Sequence, residues 1–325
     1  MLRARPSPPS WTPRPPIVSR SVRNLRFIVV VGKGGVGKTA VSAALALSLA
    51  REGKRVLVAM CNARERLSYL LQVPPIDSTL RNVAPGIDAV NMEPGAALAE
   101  YGLMILKVRA LYSLVFENRL VAAFLRGTPG LEAWAMLGKA QFHAFETLPG
   151  GRPRYDTVIV DAPATGHGLD MLRVPKVILE VAPPGLLRRE AERAWKLFTD
   201  PVRAGVLIVT LAEELPVSET IDLDTTVRGE LGLPVCGVVA NALLPRLFDG
   251  APGAQLAALA DTLPHDSPLR QMVDASRMRQ ERERVQAEAL DKLAASVSAL
   301  RIDLPALFGT DFRRAEIETL SHTFD

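Results

Sequence analysis

Gly32-Lys33-Gly34-Gly35-Val36-Gly37-Lys38-Thr39 is the stretch that decides the fold. It satisfies GxxxxGK[ST]; the apolar run Leu25–Val31 leads into it, and the Ala/Leu-rich Ala40–Arg51, stopped by Gly53, leads out. Strand, glycine turn and helix form the context that turns this pattern into a phosphate cradle. The glycines let backbone N–H groups curl around α- and β-phosphates. The helix that starts near Lys38 aims its positive end at them. Lys38 neutralises the β/γ oxygens and Thr39 is placed to ligate Mg²⁺. Gly32, Lys33, Gly34, Gly35, Val36, Gly37, Lys38 and Thr39 are therefore the candidate residues for ATP with Mg²⁺.

Working outward, further short apolar runs read as strands: Arg55–Met60, Ile87–Met92, Tyr155–Val160, Val206–Thr210, Val235–Ala240 and Arg301–Leu304. Helical stretches alternate with them. That pattern predicts an α/β fold, a mainly parallel P-loop NTPase sheet with helices on both faces. Asp161 ends the strand Tyr155–Val160 and is followed by Ala162-Pro163-Ala164-Thr165-Gly166-His167. A carboxylate at a strand's carboxyl edge beside a P-loop is suited to hold Mg²⁺ through water, and a Pro/Gly-rich stretch is suited to move with a γ-phosphate. His167 has no evident partner and reads as structural or switch-coupling rather than as a base.

Pro94–Pro149 breaks the alternation: it reads as helices over Ala96–Ala110, Tyr112–Arg126 and Leu131–Phe145, a helical insertion at about 94–149 beside the sheet. Its apolar residues Met104–Phe116 read as core before they read as a client groove. Leu186–Leu197 and Met278–Leu300 read as further helices, the latter a packing helix with a solvated face. The expected organisation is a basic, Pro-rich disordered tail over 1–24, an ATPase domain over 25–310 and a C-terminal tail over 311–325.

Composition excludes several classes. The net charge of +4 arises from the N-terminal end, where Arg3, Arg5, Arg14, Arg20, Arg23 and Arg26 stand without an acid. The rest is near neutral, so the charge does not argue for nucleic acid. The tail itself reads as a floppy extension before it reads as a transit peptide. Cys61 and Cys236 form no CxxC pair, so no zinc or iron–sulfur site is expected, and two cysteines suit a reducing cytoplasm. No apolar run is long enough for an integral membrane segment.

Lys33 carries a resemblance. GKGGVGKT, with its early second lysine, resembles the deviant P-loop of the group holding the MinD/ParA, nitrogenase-reductase and ArsA ATPases, and in that group this lysine reaches a partner's nucleotide. Asp161–His167, DAPATGH against DTAPTGH, narrows the resemblance to the ArsA/Get-type family of arsenite-pump subunits and tail-anchored-protein targeting factors. Leu211–Thr220 (LAEELPVSET) is similar to the family's stretch after the fifth strand. By the same resemblance Asn241, in Val238-Val239-Ala240-Asn241, reads the adenine, and Pro305 flanks its other face. The resemblance implies a nucleotide-driven dimer, homo- or heteromeric with a paralogue, that controls a client protein; Lys33, Lys38 and Asp161 would carry catalysis and Thr39 and Asp161 the metal.

Three departures qualify what it implies. Where the family carries Asp-Pro-Ala after the second strand, this chain reads Cys61-Asn62-Ala63, without the carboxylate that fixes the attacking water. The arsenite-binding cysteines and the CxxC clasp are absent, so no arsenite or zinc site is expected. The chain also holds one ATPase half where pumps often have two. Three readings follow: a slow ATPase, a hydrolysis-deficient regulatory half beside a paralogous ATPase, or a client-binding module using the insertion. Asp311–Asp325 has a weak apolar face, which disfavours a MinD-type membrane-targeting end.

Overall fold

A computed structural model describes residues 20–325 apart from 62–64, 94–95, 98–99, 104–130, 183, 248–254, 256–257, 260, 265 and 310. Five consecutive apolar residues form the central strand β1 (Phe27–Val31), every one of them buried. Alternate side chains leave its two faces, so Phe27, Val29 and Val31 join one core cluster and Ile28 and Val30 the other. Such a continuous apolar run belongs to a parallel strand covered on both sides.

Around β1 stand β2 (Val56–Cys61), β3 (Arg81–Ala84), β4 (Ile87–Met92), β5 (Thr157–Asp161), β6 (Ala204–Leu211), β7 (Val235–Leu243) and β8 (Arg301–Pro305). The order is β3-β4-β2-β5-β1-β6-β7-β8. Every pairing is parallel except β3 with β4. From β1 the chain steps to one side, to β2 and β4, and after β5 to the other, to β6, β7 and β8. The crevice at the strands' carboxyl ends therefore opens beside β1, where open α/β sheets bind ligands.

The expected strands are all present. The one not expected is β3, whose sequence Arg-Asn-Val-Ala buries only its second half; Asn82 is occupied by hydrogen bonds to Ala84, Ile87 and Asp88. A four-residue polar edge strand shows too little alternation to be read from sequence.

Helix α1 (Arg20–Asn24) precedes the sheet. It falls within the expected tail, yet Val22 is fully buried; residues 1–19 lie outside the described residues. Helix α2 (Lys38–Arg51) leaves the glycine turn and is buried continuously from Val41 to Leu49. A helix apolar on every side needs cover on every side. Cover comes from the sheet, from α3 (Leu67–Leu71) and from the segment expected as a C-terminal tail. That segment contains α9 (Arg314–Ser321), whose Ile317 and Leu320, with Phe324, join the core cluster of α2. Arg51 donates to Ser321 and Asp325, and Ser48 donates to Asp325.

On the other face pack α4 (Leu131–Phe145), α5 (Thr165–Val181), α6 (Leu186–Phe198), α7 (Glu214–Thr225) and α8 (Pro268–Ser296). The third helix expected in the insertion is α4, with the same bounds. Residues 96–97 and 100–103 are helical as well, while the expected Tyr112–Arg126 and the Met104–Phe116 apolar residues lie outside the described residues. Helix α8 starts ten residues before the expected Met278 because Pro268 opens it, a position where the missing N–H costs nothing. It ends before Leu300 because the chain there turns into β8. Among the described residues no helix is long and apolar enough to cross a membrane.

Candidate functional site

The glycine loop between β1 and α2 is moulded by two close approaches. A side chain at Gly32 would come within 2.3 Å of the Val209 carbonyl on β6. Gly37 has φ 94°, a left-handed conformation, and a Cβ there would lie 2.3 Å from the Asn241 side-chain nitrogen. Only glycine meets both demands at Gly37. Gly34 faces Ala164, with 3.7 Å from its ideal Cβ position to the Ala164 Cβ, so the segment after Asp161 lies against the loop.

Lys38, the first residue of α2, folds back over this loop and donates to the carbonyls of Gly32 and Lys33, each at 3.1 Å. Burial lowers its pKa, with Asp161 opposing. The next residue, Thr39, donates from Oγ1 to Asp161 Oδ2 at 2.6 Å. Asp161 is 1% exposed, and its Oδ1 has no hydrogen-bond partner. Burial raises its pKa to about 6 against the opposing pull of the Thr39 bond and Lys38. A buried carboxylate oxygen left unpaired beside a threonine hydroxyl is a costly arrangement by itself. It offers hard oxygen donors, which suit a hard cation. Among the described residues no three His, Cys, Asp or Glu groups gather into a metal cluster. Mg²⁺ does not need one, since phosphates and waters fill most of its sphere.

Asn241 arrives from β7. Its side-chain Nδ2 donates to the Val36 carbonyl at 2.8 Å, so it touches the loop through its amide nitrogen. The next residue, Ala242, has φ 56°, and the pairing of β7 with β8 shifts between Ala240 and Leu243. A left-handed alanine at a bulge is local strain that re-aims its neighbours; no sequence pattern marked it. Pro305 lies one strand farther out, paired with Leu243.

Lys33 does not project freely. Its Nζ meets Glu219 Oε1 of α7 at 2.6 Å, both side chains being 35% exposed. Glu219 lies inside the stretch LAEELPVSET, where no local pattern distinguishes it from Glu213 and Glu214. His167 is exposed in the first turn of α5, and Asp170 is an exposed partner of Arg173 at 3.9 Å.

Cys61 ends β2 fully buried, and its neighbour Met60 pairs with Asp161. Burial, with the Asp161 carboxylate adding to it, pushes the thiol far above its ordinary range. Asn62 and Ala63 lie outside the described residues. Cys236 stands near the start of β7, at the opposite end of the sheet from Cys61, and burial pushes it up to about 12.

A family model described as anion-transporting ATPase matches residues 25–182. The ATPase BagA of Mycobacterium tuberculosis is 30% identical over 233 residues, covering 68% of this chain and 66% of that protein. The ATPase GET3 of Kluyveromyces lactis is 30% identical over 259 residues, covering 69% of this chain and 74% of that one. An arsenical pump-driving ATPase of Escherichia coli is 25% identical over 236 residues, which is 68% of this chain and only 40% of the pump protein.

Proposed function

Because the chain belongs to the ArsA/Get-type family of P-loop ATPases, we propose that it binds ATP with Mg²⁺ and works as a nucleotide-gated dimer. In this reading it controls a partner or client protein and turns ATP over slowly. The observation that carries it is the Thr39–Asp161 bond beneath Lys38, with Asp161 Oδ1 unpaired at the mouth of the glycine loop. Thr39 would hold Mg²⁺ through its hydroxyl and Asp161 through water. The ion, when bound, would screen the charge shared by the β- and γ-phosphates.

The residues of the chain divide the remaining work. Backbone N–H groups of Gly34–Lys38 and the start of α2 hold the phosphates. Lys38 leaves the loop carbonyls for the β/γ oxygens. Asn241, flanking the loop, and Pro305, one strand beyond, are the proposed adenine contacts. Lys33 is proposed to act in trans on the nucleotide of a second protomer. Nothing in the proposal calls for arsenite, because Cys61 and Cys236 sit at opposite ends of the sheet and cannot share a soft ion.

A second reading rests on Cys61. A buried, protonated thiol is a poor acceptor for an attacking water, which favours either slow hydrolysis or a regulatory half that binds ATP beside a paralogue. Calorimetric titration of wild type and Lys38→Ala with ATP and Mg²⁺ tests the site. Wild type is expected to bind, the variant at least tenfold more weakly, and equal affinities would dismiss the P-loop assignment. Single-turnover hydrolysis with and without a paralogue then separates the two readings.

A further inference from the structure

Glu219 is held on a helix with an unusual continuation. Helix α7 runs without a break into a π turn, Thr226–Glu230. Such turns are rare, carry wider i→i+5 bonds and concentrate at functional sites. Here the Leu231 amide donates to the Thr226 carbonyl at 3.1 Å. Arg228 spans the junction to Asp224 at 2.8 Å, and Val227 is fully buried. At the last residue of the turn, Glu230 receives two donors from α5, Arg173 to its carboxylate at 2.7 Å and Lys176 to its carbonyl at 2.8 Å.

One element therefore joins two parts of the candidate site. Its first half grips the loop lysine, Lys33 to Glu219. Its far end grips α5, the helix that begins four residues after Asp161. The adjoining Ser218 accepts from Lys292 of α8 at 2.8 Å, which anchors the start of this span beside Glu219. In the proposed dimer a phosphate on the other protomer would be a rival anion to Glu219 for the Lys33 ammonium.

We infer that Glu219 is a positioning residue for Lys33, and that α7 with its π turn ties the placement of that lysine to helix α5. When Lys33 stays on Glu219, α7 is fixed at its start and α5 is fixed through Glu230. When Lys33 leaves, the π turn is the part of the span that relaxes most readily, and α5 follows. The role given to Lys33 rests on the function proposed above; the link between Lys33, α7 and α5 is independent of nucleotide.

Hydrogen exchange on the full chain, first without nucleotide, tests the link. Glu219→Gln and Lys33→Ala are each expected to speed exchange at 226–230 and in 165–181 by about two- to fivefold, the scale of one partly exposed ion pair. The double variant is expected to add nothing to either single one. The charge swap K33E/E219K should return exchange to the wild-type level, which a merely disturbed helix would not do. The double variant R173A/K176A, which removes both donors to Glu230, should abolish the effect of Glu219→Gln on 165–181 while leaving that on 226–230. Changes confined to the first turn of α7, additive single effects, or a swap without rescue would each overturn the inference. With ATP and Mg²⁺, wild type is expected to acquire the Glu219→Gln exchange pattern, and Glu219→Gln to dimerise at about two- to fivefold lower protein concentration. Absence of any ATP-dependent dimer would instead count against the proposed function, while the nucleotide-free comparison still decides the link.

Discussion

Asp161 concentrates the chemistry of the loop in one residue. Its pKa in the fold, about 6, lies above the 3.8 of an unperturbed carboxyl. The native state thus holds a proton more tightly than the unfolded chain does. Stability is expected to fall as pH rises from about 4 to about 6, by an amount on the order of 2 kcal/mol. Asp161→Asn keeps an acceptor for Thr39 and removes the slope. Urea unfolding in chelator across that window is the check, and an identical slope in the variant would show that the carboxyl is not the group responsible. Cys61 makes the opposite case, a group that cannot ionise in its place. Cys61→Asp is expected to raise single-turnover hydrolysis by about tenfold or more, given the ~10²–10⁴-fold that a positioned base contributes. It should also lower stability, since the new carboxylate would be buried beside Asp161. No gain in rate, in a variant that still binds ATP, would mean that the water is positioned by another group.

At the scale of elements, α2 depends on the end of the chain for its cover. Phe324 is fully buried against it, so Phe324→Ala is expected to cost about 3–5 kcal/mol, read by denaturant unfolding, and to weaken ATP binding by loosening the helix that starts at Lys38. The Arg51–Asp325 pair, more than a third exposed on both sides, should matter far less. These dependencies also mark what the sequence could show. β1, the glycine loop, Asp161 and α4 were legible because each is specified locally, by an uninterrupted apolar run, a motif or a helical period. The role of residues 311–325 was not legible, because Ile317, Leu320 and Phe324 are too few to announce a buried stripe until α2 is known to need one. Glu219 stayed hidden for a different reason: its partner Lys33 is 186 residues away, and nothing local distinguishes it from its neighbours Glu213 and Glu214. The bulge at Ala242 could not be read either, since alanine does not advertise a positive φ.

For the whole molecule, the proposed dimer turns on Lys33. Lys33→Ala is expected to leave ATP affinity within about threefold of wild type while raising the dimer dissociation constant at least tenfold, a loss of about 1.4 kcal/mol. Sedimentation with ATP and with ADP measures it, and a wild-type protein that is monomeric with ATP would remove the shared-site idea. The sheet order has a further consequence, which concerns how the chain is made. β1 emerges early, yet its two neighbours are β5 (Thr157–Asp161) and β6 (Ala204–Leu211). At a synthesis rate of roughly 5–20 residues per second, this wholly apolar strand waits on the order of ten seconds for both flanks to leave the ribosome. Through that interval the phosphate loop is attached to a strand with no sheet to hold it, so nascent chains should be unable to retain nucleotide until β6 is out, and should be a ready target for chaperones that recognise short apolar segments.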